Sequence, residues 1–408
     1  MSSPAGIGQR LRQAREQAGF TQKEAADAIG IPRELISYWE HERRIPGLAR
    51  LNQLAETYGS TTDYLLGEGH APTLTDERAL LYRELRADAP RTRAGVQRWL
   101  TFLDAWANVL EEAGDELPRR GHPPVKDWAQ PHPITDSRLA ERLALEVREH
   151  HRLGLDAIPD LVTFLDQSGV LVYQAPFEQV DEPGNISGIF YNHPRLGYAI
   201  LVNTSATGGR QAFTMAHEFA HALFHYQEIS LVSRTGERAG TERFADAFAA
   251  HFLVPSVMLR ELIRRHFQGH IASPDDVVRL QRSFQVSYAV ILNRLLDDQF
   301  LSPDRYRAYQ GYSPKALATR LGIEAYPSQT ASIAAGSLGC FPPSVLDRVR
   351  RLIEGDELSP AAAASLLNVA QEAVLARLLT NPPRATNDER REFRELPQPD
   401  RSRATVRS

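Results

Sequence analysis

The sequence predicts a multidomain chain: an all-α head, a helical spacer, an α+β domain and a helical carboxy-terminal region. Three observations lead there. Apolar residues recur at helical spacing from Ile7 to Leu65 and again from Leu80 to Leu110. Short β-like runs occur only between Val170 and Val202, and residues 113–136, rich in Pro and Gly with no sustained period, separate the two regimes. A length of 408 residues accommodates two or three folded units, each with its own core. The lone Cys340 excludes a disulfide framework and any cysteine-based zinc ribbon, so a metal would have to be held by histidines and carboxylates. The first residues, MSSPAGIGQRLRQ, lack the apolar stretch of a signal peptide, and no long apolar run follows. A cytoplasmic protein with no membrane partner is the expectation. With 47 basic and 51 acidic side chains and a net charge of −4, the chain offers no global electrostatic argument for nucleic acid. DNA binding must rest on a local motif.

The head, residues 1–69, is broken into short helices by Gly19, Gly30, Pro46 and Gly59. Within it, residues 21–39 (TQKEAADAIGIPRELISYW) combine a helix start at Thr21, a small Ala25, a turn at Gly30 and an apolar pair at Ile36 and Trp39. Two helices that cross steeply need a small side chain where they touch and a glycine where the chain reverses, which is the logic of a helix-turn-helix. The run resembles the Xre/phage-repressor family through Thr21-Gln22, Gly30-Ile31, Ile36-Ser37, Glu40 and Arg43-Arg44-Ile45-Pro46. The resemblance implies a second helix lying in the major groove. Arg33, Glu34, Ser37 and Tyr38 would then face base edges, with Gln22, Arg43 and Arg44 on phosphates. It also implies a double-stranded operator as partner and a homodimer that sets two heads on two half-sites. One departure is Pro32, which stands where a capping Ser or Thr is usual; proline is tolerated in a first helical turn but cannot cap it. Residues 1–69 carry eight basic and nine acidic side chains, so no basic patch appears by count. A helical bundle that binds protein instead of DNA is the alternative.

Next come a helical spacer at 70–112, divided by Pro90, and a linker at 113–134. The α+β domain is expected at 135–310. Its helices fall at 137–153 and 160–168, its strands at 170–173, 186–192 and 197–202, and two long helices follow at 211–226 and 241–253. Further helices are read at 255–266, 274–281 and 287–297. A helical carboxy-terminal region, 311–380, contains helices at 342–354 and 360–379, and residues 381–408, poor in apolar side chains and dense in charge, read as a disordered tail. The hairpins at 274–296 and 360–379 lack clustered Arg or Lys and suit packing or dimerisation better than a second DNA head. Cys340 reads as a small buried residue.

The strongest chemical signal is His217-Glu218-Phe219-Ala220-His221 inside a helical pattern. Histidines at i and i+4 lie on one face, so two imidazole nitrogens can converge on one zinc ion while Glu218 stays free to hold a water. Twenty-one positions after His221, Glu242 opens a second helix and can supply a third ligand. Asp246, one turn on, can accept a hydrogen bond from the far nitrogen of a ligating histidine. A His, His, Glu set leaves one position for water, which marks a catalytic site.

This region resembles the ImmA/IrrE family of metallopeptidases. The matching stretches are the strand ending in Asn203, the run Arg210 to His221 (RQAFTMAHEFAH), and the run Glu242 to Pro255 (ERFADAFAAHFLVP), where Asp246 replaces the usual Asn. The resemblance implies a gluzincin-like fold, a small twisted sheet packed on the metal-binding helix, with an edge strand that binds an extended peptide. It implies Zn2+ as cofactor and Glu218 as general base for peptide hydrolysis. The oxyanion helper has four candidates, Tyr191, Tyr226, His225 and His251; for His225 the alternative, and the reading the sequence favours, is a partly exposed helical histidine. A degenerate, metal-free domain kept as a ligand sensor is the alternative to catalysis.

Together these readings predict a DNA-binding transcriptional regulator with a zinc-dependent endopeptidase domain. It would cleave a regulator protein, such as a repressor, in a stress or mobile-element response. The alternatives are a regulator whose peptidase-like domain only senses a ligand or partner, and one component of a toxin-antitoxin pair.

Overall fold

The computed structural model describes residues 6–58, 60, 62–67, 81, 85, 90–117, 134–176, 185–226, 230–234, 240–323, 333 and 337–379. The tail at 381–408 and residues 118–133 of the linker lie outside them. Among the described residues, five helices build the head: α1 (Ile7–Gln17), α2 (Gln22–Ala28), α3 (Arg33–Glu40), α4 (Leu48–Tyr58) and α5 (Thr62–Leu66). Thr21 and Glu24 start α2 with a capping box. The Thr21 hydroxyl accepts from the Glu24 amide at 3.2 Å, and the Glu24 carboxylate accepts from the Thr21 amide at 2.7 Å. Gly30 reverses the chain with φ +66°. Pro32 occupies the N-cap of α3 and makes no side-chain cap, as its chemistry requires. Leu11, Ala25, Ile36, Trp39, Leu54 and Leu65 fill the centre of the head. A buried ion pair braces it: Arg15 donates to Glu40 at 2.5 and 3.2 Å, and Gln22 donates to the same carboxylate at 2.9 Å.

Pro90 opens a single helix, α6 (Pro90–Glu112), at a position where the missing amide hydrogen costs nothing. Within the stretch read as a helical spacer, most of residues 70–89 lie outside the described ones, and this helix carries the rest. Its Trp99, Leu100, Leu103 and Trp106 are buried in a core shared with the sheet described next. At its other end, Arg93 reaches the head. It pairs with Glu24 at 2.8 Å, donates to the Gly19 carbonyl at 3.2 Å and lies 4.5 Å over the Phe20 ring.

A short 3-10 turn (Ser137–Leu139) leads into the α+β part: α7 (Ala140–His150), α8 (Leu161–Gln167), β1 (Val170–Ala175), β2 (Ile186–His193), β3 (Gly197–Asn203), α9 (Gly208–Phe224), β4 (Ser230–Arg234) and α10 (Gly240–Leu253). The sheet order is β1-β3-β2-β4, with β1 parallel to β3 and the other pairs antiparallel. Strand β4, at the sheet edge, is absent from the sequence reading. One face of the sheet presents Phe190, Ile200 and Val202 to α9, against which α10 packs in turn. There Phe244, Phe248 and Phe252, four residues apart, form a stripe with neighbouring centroids at 6.3 and 5.4 Å. Burying each such ring contributes about 1.5–3 kcal/mol. The other face presents Ile189, Ala199 and Leu201 to α6.

Helices α11 (Ser256–His266), α12 (Pro274–Phe284), α13 (Tyr288–Asp297), α14 (Pro303–Gln310) and α15 (Pro314–Arg320) complete the first core, to which Leu317 belongs. Helix α15, which lies after residue 310, packs on α12. Beyond it, α16 (Pro343–Glu354), α17 (Pro360–Leu366), α18 (Gln371–Val374) and a π-helical turn (Leu375–Leu379) join α6 over the second face through Val349, Leu352, Ala363 and Leu378. Both hairpins read from the sequence pack internally, and Cys340 is buried at 1% exposure. Among the described residues no helix is long and apolar enough to cross a membrane.

Candidate metal centre

Helix α9 is buried on nearly every side from Gln211 to Phe224, which the sequence FTMAHEFAHALF permits by offering apolar residues around most of the helix. The polar exceptions gather at one place. His217 and His221 stand one turn apart, and Glu242 reaches them from the first turn of α10. His217 Nε2 lies 3.1 Å from Glu242 Oε2 and 3.1 Å from His221 Nε2, and His221 Nε2 lies 3.2 Å from Glu242 Oε1. Asp246 Oδ1 sits 2.9 Å from His217 Nδ1, on the far side of that ring. The three expected ligand residues and the expected supporting carboxylate thus come together, and no other such group is found among the described residues.

The electrostatics of the cluster are coupled. Burial opposes charge on His217, yet hydrogen bonds with Asp246 and Glu242 carry it up to about 10. Burial pushes His221 down to about 3. Burial also opposes charge on Glu242, but the hydrogen bond to His217 and the closeness of His221 hold it well below the usual carboxylate range. Glu218, fully buried, is pushed up by burial to about 8, against the pull of His217 and of the nearby Ser233 hydroxyl. Both Glu218 oxygens are buried without a hydrogen bond of good geometry among the described residues. The carboxylate lies against Gly188 of β2, where a Cβ would fall 2.5 Å from Oε1.

These residues fit a zinc ion. Tetrahedral bonds of about 2.0–2.2 Å separate ligand atoms by roughly 3.3–3.6 Å, within a few tenths of an ångström of the triangle found here. The donor set, two imidazoles and one carboxylate, is that of catalytic zinc. Glu218 stands beside the set, with neither oxygen paired among the described residues.

The four candidate oxyanion groups fare differently. Tyr191 faces the second core, 6.2 Å from the Trp99 ring centroid, on the sheet face away from α9. His251 lines a separate polar cavity of about 510 Å³ with Glu141, Arg260, Arg294, Asp297 and Asp298. His225 is not the partly exposed helical histidine that was the alternative to an oxyanion role: it is fully buried, and contacts at 2.7 Å engage both its nitrogens, with His221 Nδ1 and the Ile134 carbonyl. Tyr226 is half-buried at the first core and stays a candidate. Sequence reasoning gave no place to Gly188 or Ser233. A glycine inside a strand facing the HExxH helix is the signal that marks the first.

In the head, Arg33, Glu34 and Tyr38 are exposed along α3, Ser37 is half-buried beside them, and Arg43 and Arg44 are exposed in the following loop. Arg44 lies 5.9 Å over the Tyr38 ring. Gln22 is half-buried and bonded to Glu40, so its side chain is tied inward.

Comparison with known proteins agrees with both regions. Residues 165–296 match the family model of the IrrE N-terminal-like domain, and residues 11–65 match a helix-turn-helix model. The chain thus joins a helix-turn-helix segment to an IrrE N-terminal-like domain. It is similar to the HTH-type transcriptional regulator ImmR of Bacillus subtilis (strain 168), 44% identical over 62 residues that make up 15% of this chain and 49% of that protein. It is also similar to the SPbeta prophage-derived uncharacterized HTH-type transcriptional regulator YonR of the same organism, 36% identical over 71 residues, 17% of this chain and 66% of that one. The uncharacterized HTH-type transcriptional regulator YobD, again from Bacillus subtilis, is 37% identical over 70 residues, 17% of this chain and 62% of its own length. The chain spans about half to two thirds of the length of these curated relatives.

Proposed function

We propose that this chain is a DNA-binding transcriptional regulator whose α+β domain is a zinc-dependent endopeptidase that cleaves a regulator protein, such as a repressor. The observation that carries the reading is the convergence of His217 Nε2, His221 Nε2 and the Glu242 carboxylate at 3.1–3.2 Å, with the unbonded Glu218 carboxylate beside them. His217, His221 and Glu242 would hold the ion. Bound there, zinc supplies a Lewis acid and an acidified water. A Glu218 oxygen takes the proton of the attacking water and returns it to the departing amide nitrogen, a role for which a buried carboxylate with free lone pairs is suited. Asp246 accepts the His217 Nδ1 proton and so keeps Nε2 of that ring turned inward. Strand β4, at the edge of the sheet beside Gly188 and Glu218, is where an extended peptide would add.

In the head, α3 would read an operator with Arg33, Glu34, Ser37 and Tyr38, and a homodimer would occupy two half-sites. The test is direct. Purified protein is analysed for bound metal, then incubated with the regulator proteins encoded beside its gene, with and without a chelator. One zinc per chain, chelator-sensitive cleavage, and a Glu218→Gln variant that keeps zinc but cuts nothing are expected. Less than about a tenth of an equivalent of metal after zinc addition would sink the reading. Normal gene control by Glu218→Gln would favour a sensor.

A further inference from the structure

We propose that His225 is a positioning residue for the metal centre, fixing the tautomer of His221 so that Nε2 of that ring carries a free lone pair toward Glu242. The inference rests on the zinc reading above and extends it to a residue outside the ligand set.

The chain of contacts leaves one arrangement of protons. His225 Nε2 lies 2.7 Å from the Ile134 carbonyl, which can only accept, so the proton of His225 sits on Nε2. The ring is fully buried, and a neutral imidazole bears one proton, so His225 Nδ1 is a bare acceptor. His221 Nδ1 lies 2.7 Å from that atom, and two nitrogens at that distance need a proton between them. It must come from His221 Nδ1. The opposite nitrogen, His221 Nε2, is then free of a proton where it meets Glu242 Oε1 at 3.2 Å, with its lone pair turned toward the place an ion would take.

The two ligand histidines are thus oriented by different means. His217 leans on the Asp246 carboxylate; His221 leans on a neutral imidazole anchored to a backbone carbonyl. The difference has an electrostatic reason. Glu218, Glu242 and Asp246 already bring three carboxylates to the cluster, one more than a divalent ion neutralises, and a fourth would add a further uncompensated charge. A histidine fixes the ring without adding charge. The anchor is itself held in place, with the Phe244 ring edge-on to His225 at 5.6 Å.

The test compares the parent with His225→Leu, which removes the acceptor, and His225→Asn, which keeps an acceptor near the Nδ1 position. Ring nitrogen NMR of the metal-free proteins reads the tautomer, and competition with a chromophoric chelator reads zinc affinity. The parent and the asparagine variant should show His221 protonated at Nδ1 and bind zinc within a few-fold of each other. The leucine variant should lose that tautomer and bind zinc about ten- to a hundredfold more weakly, the usual scale for losing such a support. A parent with its His221 proton on Nε2, or a folded leucine variant with the parent's zinc affinity, would overturn the proposal. If the leucine variant does not fold, the parent spectrum and the asparagine variant still decide it. A parent that takes up no zinc overturns the metal reading instead, and the tautomer, recorded without metal, judges the relay separately.

Discussion

Replacing Gly188 with alanine tests how closely the sheet is fitted to the Glu218 helix. The φ of Gly188 lies outside the left-handed region, so the backbone accepts alanine without strain and the outcome depends on space alone. The added carbon would fall 2.5 Å from Glu218 Oε1 and 2.6 Å from Thr214 Cγ2, in each case nearly an ångström short of ordinary contact, which begins at 3.4 Å. Glu218 is enclosed and Thr214 is stiff at χ1, so neither yields freely. Overpacking of this kind costs about 1–3 kcal/mol. Urea unfolding should therefore show a lower midpoint for Gly188→Ala with an unchanged slope, while zinc content stays at the parent level because β2 supplies no ligand. Catalysis should suffer as well, since moving a general base by an ångström costs on the order of a hundredfold in turnover. A Thr214→Ala/Glu218→Ala background should absorb most of the stability cost, as coupled neighbours do. An alanine variant as stable and active as the parent, or a cost undiminished in that background, would refute the argument.

Three further outcomes are expected. His251 is pushed down to about 4, first by burial and then by the Arg294 charge, so the unfolded chain binds its proton sooner than the folded one. Stability should fall as pH drops from about 6.5 to about 4, by about 1–2 kcal/mol once screening of the partly exposed ring is allowed for. Urea titrations at both ends, with His251→Gln as the variant that flattens the difference, check this. Arg93→Met should loosen the head from α6, speeding amide exchange in α2 by about tenfold, worth about 1.4 kcal/mol, with the sheet unaffected; equal exchange in both proteins would show that Arg93 holds nothing. Arg33→Ala should weaken binding to the DNA upstream of the protein's own gene by about 1–3 kcal/mol while leaving binding to unrelated DNA unchanged, as measured by band shift; a uniform loss would place Arg33 on the backbone instead.

Much of the centre is legible in the chain because its chemistry is local. His217 and His221 are one helical turn apart, and Glu242 and Asp246 share a second helix, so their periodicity carries their geometry. His225 shows the limit of that argument. Its position at i+4 from His221 tells which side of the helix it occupies but not that α10 and the Ile134 segment close over it. The strand β4 escapes because Ser230–Arg234 is short and half polar, and an edge strand needs only one buried row. Helices α14 and α15 are weakly apolar. Their signals are Ser302-Pro303 and Ser313-Pro314, each a cap followed by a proline in the first turn. The periodicity of residues 90–112 identifies a helix but says nothing of its partner, a sheet whose first strand begins only at Val170.

That last pairing decides where the molecule can be divided. Composition invites a cut in the Pro/Gly-rich stretch after residue 113, yet such a fragment would leave Trp99, Leu100, Leu103 and Trp106 on the wrong piece and expose the back of the sheet. A fragment that begins at Pro90 keeps its wall. The interchangeable cassette is therefore the five-helix head alone, and any fusion that swaps one reader for another must preserve a surface able to receive Arg93.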